Sequence, residues 1–412
     1  MKVLIISQYF WPENFRITDV AQGLRDLGHE VTVLTGLPNY PDGRFFAGYG
    51  LRGPWRDKHE GIEVIRAPLV PRGKGGGPRL ICNYLSFVAG SILFGLPRLR
   101  ERFDALLVFE PSPVTVAIPA LLLKTIQGTP LLFWVQDLWP ESLSATGMVK
   151  NRMILRAVAS LVRLIYRHSD RILIQSRAFR EPIRALGAED QRIVYLPNSA
   201  EALYQPVELP ADAPERLLVP AGFRIMFAGN IGAAQSFSTI VDAADLLREF
   251  ADVHWIILGD GRMRGEAEAE VEARGLGAQV HFLGRHAPAM MPRFFALADV
   301  LLVTLRRDPI FAATLPSKLQ SYLACGRPIV AALDGEGARV LEESGAGIAV
   351  PSDDPRALAD AVRRLRAARP EERAKMGSRG RAYFEAEFDR GMLLRRLQDC
   401  MAEVAGGPER TR

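Results

Sequence analysis

Cysteine is scarce in this chain. Three residues in 412 (Cys82, Cys325 and Cys400) stand far apart, with no CxxC pair. That excludes a disulfide framework and a thiolate metal cage, and points to a reducing compartment. Lysine is scarce too: seven (2, 58, 74, 124, 150, 318, 375) stand against 45 arginines, so a single lysine in a glycine-rich setting merits notice. The six histidines (29, 59, 168, 254, 281, 286) show no metal-ligand spacing. There is no HExxH, no Asp-x-Asp, no GxSxG elbow and no Gly-Lys-Ser/Thr phosphate loop. A protein-held divalent ion, a resident cofactor and a serine nucleophile are therefore not expected. The net charge of +5 is too small to imply a nucleic-acid partner. The opening apolar run, Val3–Ile6, is too short for a signal peptide and reads as a strand.

What is present is ordinary globular material, 48% hydrophobic and 24% charged, in a length that suits two or three domains. KVLIIS is a strand-length apolar run. A helical pattern follows at Ile17, Val20, Ala21, Leu24 and Leu27, stopped by Gly28, and Val31–Leu34 is a second strand. Further strands are predicted at Ile62–Arg66, Ala105–Phe109, Leu131–Val135, Arg171–Gln175 and Ile193–Leu196, with helical patterns between most of them. Strand–helix–strand repetition with short connections predicts a doubly wound parallel α/β domain over residues 1–200. Residues 201–221 carry three prolines (206, 210, 214) before Pro220-Ala221 and read as a linker.

The pattern then restarts. Strands are predicted at Arg224–Ala228, Val253–Leu258, Val280–Leu283, Val300–Val303, Pro328–Ala331 and Gly347–Val350, with helices at Ser238–Phe250, Arg356–Arg366 and Arg373–Phe388. Residues 222–388 are a second doubly wound, Rossmann-like domain, and 389–412 a closing helix and frayed tail from Gly406. Two such domains imply a ligand cleft between the carboxyl ends of two parallel sheets.

Several residues can carry chemistry there. Gly229-Asn230-Ile231-Gly232 and Gly259-Asp260-Gly261 are strand-end glycine turns, and Leu283-Gly284-Arg285-His286 is a third. Each alone is equally a plain turn; three in one domain suggest a nucleotide site. Pro316 and Ser317 suit the start of a helix Lys318–Ala324, where Lys318 is either a diphosphate clamp or a surface lysine. In the first domain, Gln136-Asp137-Leu138-Trp139-Pro140-Glu141-Ser142 follows a strand. Asp137 can accept a proton from a hydroxyl, orient a sugar, or simply cap a turn; Glu141 is the second carboxylate. Glu110 is a weaker candidate, and Glu13, Asn14 and Arg16 on the first loop can contact an acceptor or phosphates. Leu80–Pro97 is 18 residues without charge, flanked by Arg79, Arg98, Arg100 and Arg102. It is marginal for spanning a bilayer and reads as a core helix or one lying in a membrane surface.

The order Gly-Asn-Ile-Gly, Gly-Asp-Gly, Phe-Leu-Gly-Arg, Ala-Asp-Val-Leu-Leu-Val and Pro-Ser-Lys-Leu-Gln-Ser-Tyr-Leu-Ala-Cys-Gly-Arg-Pro resembles glycosyltransferase family 4 over nearly the whole chain. SQYFWPENFRITDVAQGL, TGLPNYPDG and VQDLWPESL look like its WbuB-type subgroup. The resemblance implies the GT-B fold, α/β with two Rossmann-like domains facing across a cleft and a C-terminal helix that can cross back to the first. It implies a metal-independent, retaining transfer of a deoxyaminosugar, such as N-acetyl-L-fucosamine, from a UDP- rather than GDP-linked donor. The acceptor would be a lipid-linked saccharide in O-antigen, capsule or exopolysaccharide synthesis, at the cytoplasmic membrane face. By the same resemblance the second domain binds the donor, through Gly229, Asn230, Gly232, Gly259, Gly261, Arg285, His286, Pro316, Ser317, Lys318 and Ser321. The first binds the acceptor through Glu13, Asn14, Arg16 and Glu110, with Asp137 and Glu141 at the reaction. The family's common Glu-x7-Glu is here Ala313 and Ser321, and its Arg and Lys after the first strand of the second domain are Asn230 and Gln235. Lys318, Arg306 or Arg262 then supplies the positive charge. A UDP-sugar 2-epimerase and a non-catalytic nucleotide-sugar-binding scaffold subunit are the rival readings.

Overall fold

Runs such as Ala-Leu-Leu-Val-Phe-Glu and Val-His-Trp-Ile-Ile-Leu are buried along their whole length, as parallel strands are when helices cover both faces. The computed structural model describes residues 1–73, 77–145, 149 and 151–406. Its contacts divide the chain into two units: Met1–Pro197 with the chain from Gly391 onward, and Asn198–Arg390.

Unit 1 runs β1 (Lys2–Ile6), α1 (Arg16–Asp26), β2 (Glu30–Gly36), β3 (Arg56–His59), β4 (Ile62–Ala67), α2 (Gly77–Gly90) and β5 (Ala105–Glu110). It continues α3 (Ala117–Gln127), β6 (Leu131–Val135), α4 (Glu141–Ala145), α5 (Arg152–His168), β7 (Arg171–Ile174), α6 (Arg180–Ala185) and β8 (Ile193–Tyr195). The sheet order is β3-β4-β2-β1-β5-β6-β7-β8, parallel except for the β3–β4 pair. The chain moves one way from β1 and the other way from β5, so the point where the order reverses lies between them.

Strand β3 escapes sequence reading because Arg-Asp-Lys-His has no apolar residue. It is held as an edge by a tertiary ion pair. The Arg66 side chain is buried, reaches Asp57 at 3.2 Å and lies 4.6 Å from the Tyr49 ring centroid.

Unit 2 runs β9 (Phe223–Ala228), α7 (Phe237–Asp245), β10 (Val253–Leu258), α8 (Arg264–Ala273), β11 (Val280–Gly284), α9 (Met291–Leu297) and β12 (Val300–Thr304). Next come α10 (Pro309–Ala313), α11 (Ser317–Ala324), β13 (Ile329–Ala332), α12 (Glu336–Ser344), β14 (Gly347–Val350), α13 (Pro355–Ala367) and α14 (Pro370–Glu387). Its parallel sheet is ordered β11-β10-β9-β12-β13-β14, reversing between β9 and β12. Helix α7 ends at Asp245, five residues short of the expected Phe250, because the chain there passes into overlapping turns.

Residues 201–221 do not hang free as a linker would. Val219 joins the apolar core of unit 2, Tyr204 stacks on Phe295 at 6.1 Å, and Glu215 pairs with Arg293. Helix α15 (Arg390–Ala405) returns to unit 1, where Leu393, Leu397, Cys400 and Met401 pack with Val3, Ile5 and Leu24. Of the expected tail, 407–412 lies outside the described residues.

The uncharged stretch 80–97 is buried on one side and exposed on the other. It forms α2, then a π-helical turn Ser91–Gly95 and a 3₁₀ turn Leu96–Arg98. The helix lies so close to the sheet that a Cβ at Gly90 would sit 2.1 Å from the Pro68 carbonyl oxygen. Leu80 and Phe87 are buried, while Ile81, Leu85, Leu93 and Phe94 are exposed.

Candidate active site

In unit 2 the glycine turns converge where the strand order reverses. Gly229 and Gly259 each adopt φ +132°, a conformation side chains resist. The Gly229 N–H donates to Leu258 O at 2.8 Å, and the Gly259 N–H to Gly284 O at 2.7 Å. A Cβ at Gly259 would lie 1.9 Å from the Gly229 oxygen, and one at Gly261 2.3 Å from Ile231 O. The three turns thus form one backbone surface, with no room for side chains between them. The Asn230 amide lies over Gly232 and Gly261.

Lys318 comes to this surface from α11. Its stem packs on Gly229, so that a Cβ there would meet Lys318 Cε at 2.6 Å. Its ammonium sits 3.6 Å from the Phe227 ring centroid, buried and without a hydrogen-bond partner. Burial alone pulls its pKa down to about 7. A buried ammonium at a helix N-terminus, beside backbone N–H groups, has the chemistry to bind an anion.

Tyr322, one turn along α11, fixes this geometry: its hydroxyl accepts the Ala228 N–H at 2.9 Å. Sequence reading passed over it, although its i+4 spacing from Lys318 puts both on one helix face. Tyr322→Phe is expected to cost about 1–3 kcal/mol, because the Ala228 N–H loses its partner in the core. An unchanged urea midpoint would remove that role.

Other expected donor contacts need correction. Ser321 donates to Ser317 O of its own helix at 3.2 Å and is turned inward. Pro316, not Ser317, is the N-cap, with no side-chain cap; Ser317 is the first helical residue and is exposed. Gln235 accepts the Gly232 N–H at 3.1 Å and so braces the turn. His286 Nε2 lies 3.2 Å from Leu283 O and its ring 4.6 Å from that of Phe294, while Arg285, Arg262 and Arg306 are exposed. A cavity of about 590 Å³ opens beside the same turn, lined by Gly232, Ser236, Phe237, Met263, Glu266 and Arg306.

In unit 1 the carboxylates gather at the ends of β5 and β6. Glu110, closing β5, is buried, and neither carboxyl oxygen has a hydrogen-bond partner. Burial first, and the Asp137 charge second, push its pKa well above the usual carboxylate range. Burial also raises that of Asp137, opposed by the Ser142 hydroxyl that donates to Asp137 Oδ1. Glu141 opens α4 and, with Glu110, faces the buried Tyr166. Tyr84, on α2, has its pKa raised by burial, with a smaller push from the Asp137 and Glu110 charges, and is a residue sequence reading does not single out.

Glu13 is not an outward acceptor contact. It is buried, and its Oε1 accepts the N–H groups of Asn39 and Tyr40, both at 2.7 Å. Burial still lifts its pKa to about 7. It holds the 39–40 loop so that Tyr40 and Phe15 surround Tyr9, whose ring lies 4.6 Å from that of Phe15. Asn14 is exposed beside this aromatic group, and Arg16 begins α1. Among the described residues no group of three or more His, Cys, Asp or Glu is placed to hold a metal.

Known proteins share this layout. The family description "Glycosyl transferase 4-like domain" matches residues 14–199, and "Glycosyl transferases group 1" matches 222–367. An Escherichia coli K12 chain assigned as the colanic acid biosynthesis glycosyl transferase WcaI is 27% identical, over 79% of this chain and 82% of its own. WbjE of Pseudomonas aeruginosa, assigned as a glycosyltransferase, is 27% identical over 68% of this chain and 71% of its own. The crystal structure of Anabaena HepE in complex with UDP and glucose has the same fold. Its TM-score is 0.71 at 19% identity, over 98% of this chain and 100% of that one. With both halves matched in order and both sheets in place, the chain belongs to glycosyltransferase family 4 and has the GT-B fold.

Proposed function

We propose that this glycosyltransferase moves a deoxyaminosugar from a UDP-linked donor to a lipid-linked saccharide acceptor, with retention and without a metal ion. The reaction belongs to bacterial surface-polysaccharide assembly of the WbuB type, at the cytoplasmic face of the membrane. The carrying observation is Lys318, an unpaired buried ammonium against the Gly229 turn and at the start of α11. The acceptor hydroxyl oxygen approaches the anomeric carbon on the face from which the diphosphate leaves, so that one bond breaks as the other forms and the configuration is kept. Negative charge then grows on the leaving diphosphate, where Lys318, the exposed N–H groups of α11 and the glycine turns stabilise it. Asp137 takes the proton of the acceptor hydroxyl. UDP is favoured over GDP because the structurally similar HepE was captured with UDP.

The test incubates the protein with a panel of UDP- and GDP-sugars, with and without extracted lipid-linked saccharide, and with EDTA. Lipid-linked product formed from one UDP-deoxyaminosugar only when acceptor is present, at a rate EDTA leaves unchanged, is the expected result. Isomerisation of the donor without acceptor would make the protein an epimerase. Nucleotide-sugar binding without turnover of any donor would make it a scaffold.

A further inference from the structure

Unit 1 turns one face of its sheet toward an unusual set of helices. Right-handed crossovers place α1 on one face, since β1 to β2 runs one way, and α2, α3, α5 and α6 on the other, since β4 to β5, β5 to β6, β6 to β7 and β7 to β8 all run the opposite way. The packing agrees. Helix α2 packs against the start of α3, α3 against α5, and Tyr166 of α5 lies 6.1 Å from Phe133, whereas Trp134 points to the α1 and α15 side.

Of these, α2, α3 and α5 carry no acidic residue, while the short α6 at the β8 edge carries Glu181. Residues 77–100, 114–127 and 152–168 contain eight Arg or Lys and no Asp or Glu. The opposite face is mixed, with Asp19 and Asp26 on α1 and Asp399 and Glu403 on α15. The apolar side chains are also arranged against burial. In α2 the polar residues point inward: Asn83 accepts from Gln8 at 2.7 Å and donates to Val70 O, and Ser86 accepts the Val70 N–H. Ile81, Leu85 and Leu93 repeat at fourfold spacing on the outside. On α3 and α5, Ile126 is 69% and Met153 76% exposed, with Leu122, Ile154 and Leu164 also outward. A shallow groove of about 510 Å³ between these two helices is lined by Ile118, Leu121, Leu122 and Leu164, and edged by Lys124 and His168.

An exposed apolar surface that is large and rimmed by one sign of charge marks a docking site. Apolar side chains amid arginines, with no acid on the three helices themselves and Asp170 just beyond α5 neutralised by Lys124, match a surface that is apolar within and anionic at its edge. We infer that the joined outer face of α2, α3 and α5 seats unit 1 on an anionic lipid leaflet. The surface is separate from the donor site, but its partner rests on the reading of a lipid-linked acceptor. Ile81, Leu85, Leu93, Phe94, Ile126 and Met153 enter the interfacial zone. Arg79, Arg98, Arg152, Arg156 and Arg163 meet the head groups.

The full-length protein is floated with phosphatidylcholine vesicles, with and without phosphatidylglycerol. It should float only with the anionic vesicles, and less in half-molar salt, where screening is tighter. Changing exposed residues alone, as Ile126→Ser/Met153→Ser/Ile154→Ser or Arg156→Glu/Arg163→Glu, should lower vesicle binding by more than about tenfold. Circular dichroism and UDP calorimetry on the same samples should be unchanged. Absence of flotation, or variants that float like the parent, would overturn the docking face while leaving the donor reading intact. A self-associated protein that both variants render monomeric, with no vesicle binding, would make this face an interface between copies. Flotation with no use of any nucleotide sugar would retain the face and sink the proposed function.

Discussion

Replacing Lys318 with methionine is expected to weaken UDP binding about 10- to 100-fold, the loss of one charge-assisted contact, and to lower turnover in step. The same change should raise the melting temperature of the empty protein at neutral pH. The two effects have one cause. Among the described residues the buried Lys318 ammonium has no hydrogen-bond partner, and it lies over the Phe227 ring. Desolvation takes its pKa from 10.5 to about 7. In the unfolded chain the group remains protonated to near 10.5, so folding releases a proton between these values. The destabilisation is therefore full below about pH 7 and fades as pH rises toward 10.5. The advantage of Lys318→Met should fade with it. A diphosphate restores the charge: above pH 7, UDP binding takes up a proton at Lys318. UDP affinity should then fall by up to about tenfold per pH unit above 7, and stay flatter in the methionine variant. Calorimetry in two buffers of different ionisation enthalpy reads that proton directly. Equal UDP affinity and equal pH slopes in the two proteins would dismiss the clamp.

The second large effect is expected at Asp137. Asp137→Asn should lower transfer about a hundredfold or more, the range of a lost general base, while UDP affinity is unchanged. Burial holds the Asp137 carboxyl above the usual aspartate range, which makes it a better base near neutrality than an exposed one. The acid limb of the pH–rate profile should accordingly lie above the ordinary range and vanish in the variant. Glu110 provides the contrast. It is fully buried, and burial first and the Asp137 charge second push its pKa well above the usual carboxylate range, which favours its neutral form. An amide imitates a neutral acid, so Glu110→Gln should change the rate little.

The stability of the two proteins should diverge. A raised carboxyl pKa favours the fold at low pH and loses that favour as pH rises from the unfolded value of 4.5. The Gln variant should lack that decline. Full activity in Asp137→Asn, or an Asp137-sized loss in Glu110→Gln, would reverse the assignment.

The inner strands and the glycine turns were legible because both follow from local chemistry. Continuous apolar runs must be covered on both faces, and Gly229 and Gly259 stand at strand ends where only glycine fits. Strand β3 was not legible, because an Arg-Asp-Lys-His edge is held by Arg66 rather than by its own propensity. The residue types of Glu13 and Ser321 allow them to be ligand contacts. Their hydrogen bonds are made inside the protein, to backbone groups that spacing along the chain cannot locate.

By itself, then, the sequence determined two parallel α/β units, their strand-end turns and the position of Lys318 at a helix start, since periodicity and glycine placement are local properties. Only the tertiary structure decided that the lysine ammonium is buried without a partner, and that Glu110 and Asp137 share a desolvated corner. It also decided that α2 turns Asn83 inward and Ile81 and Leu85 out. Each of these depends on what surrounds a side chain, and those neighbours come from distant parts of the chain.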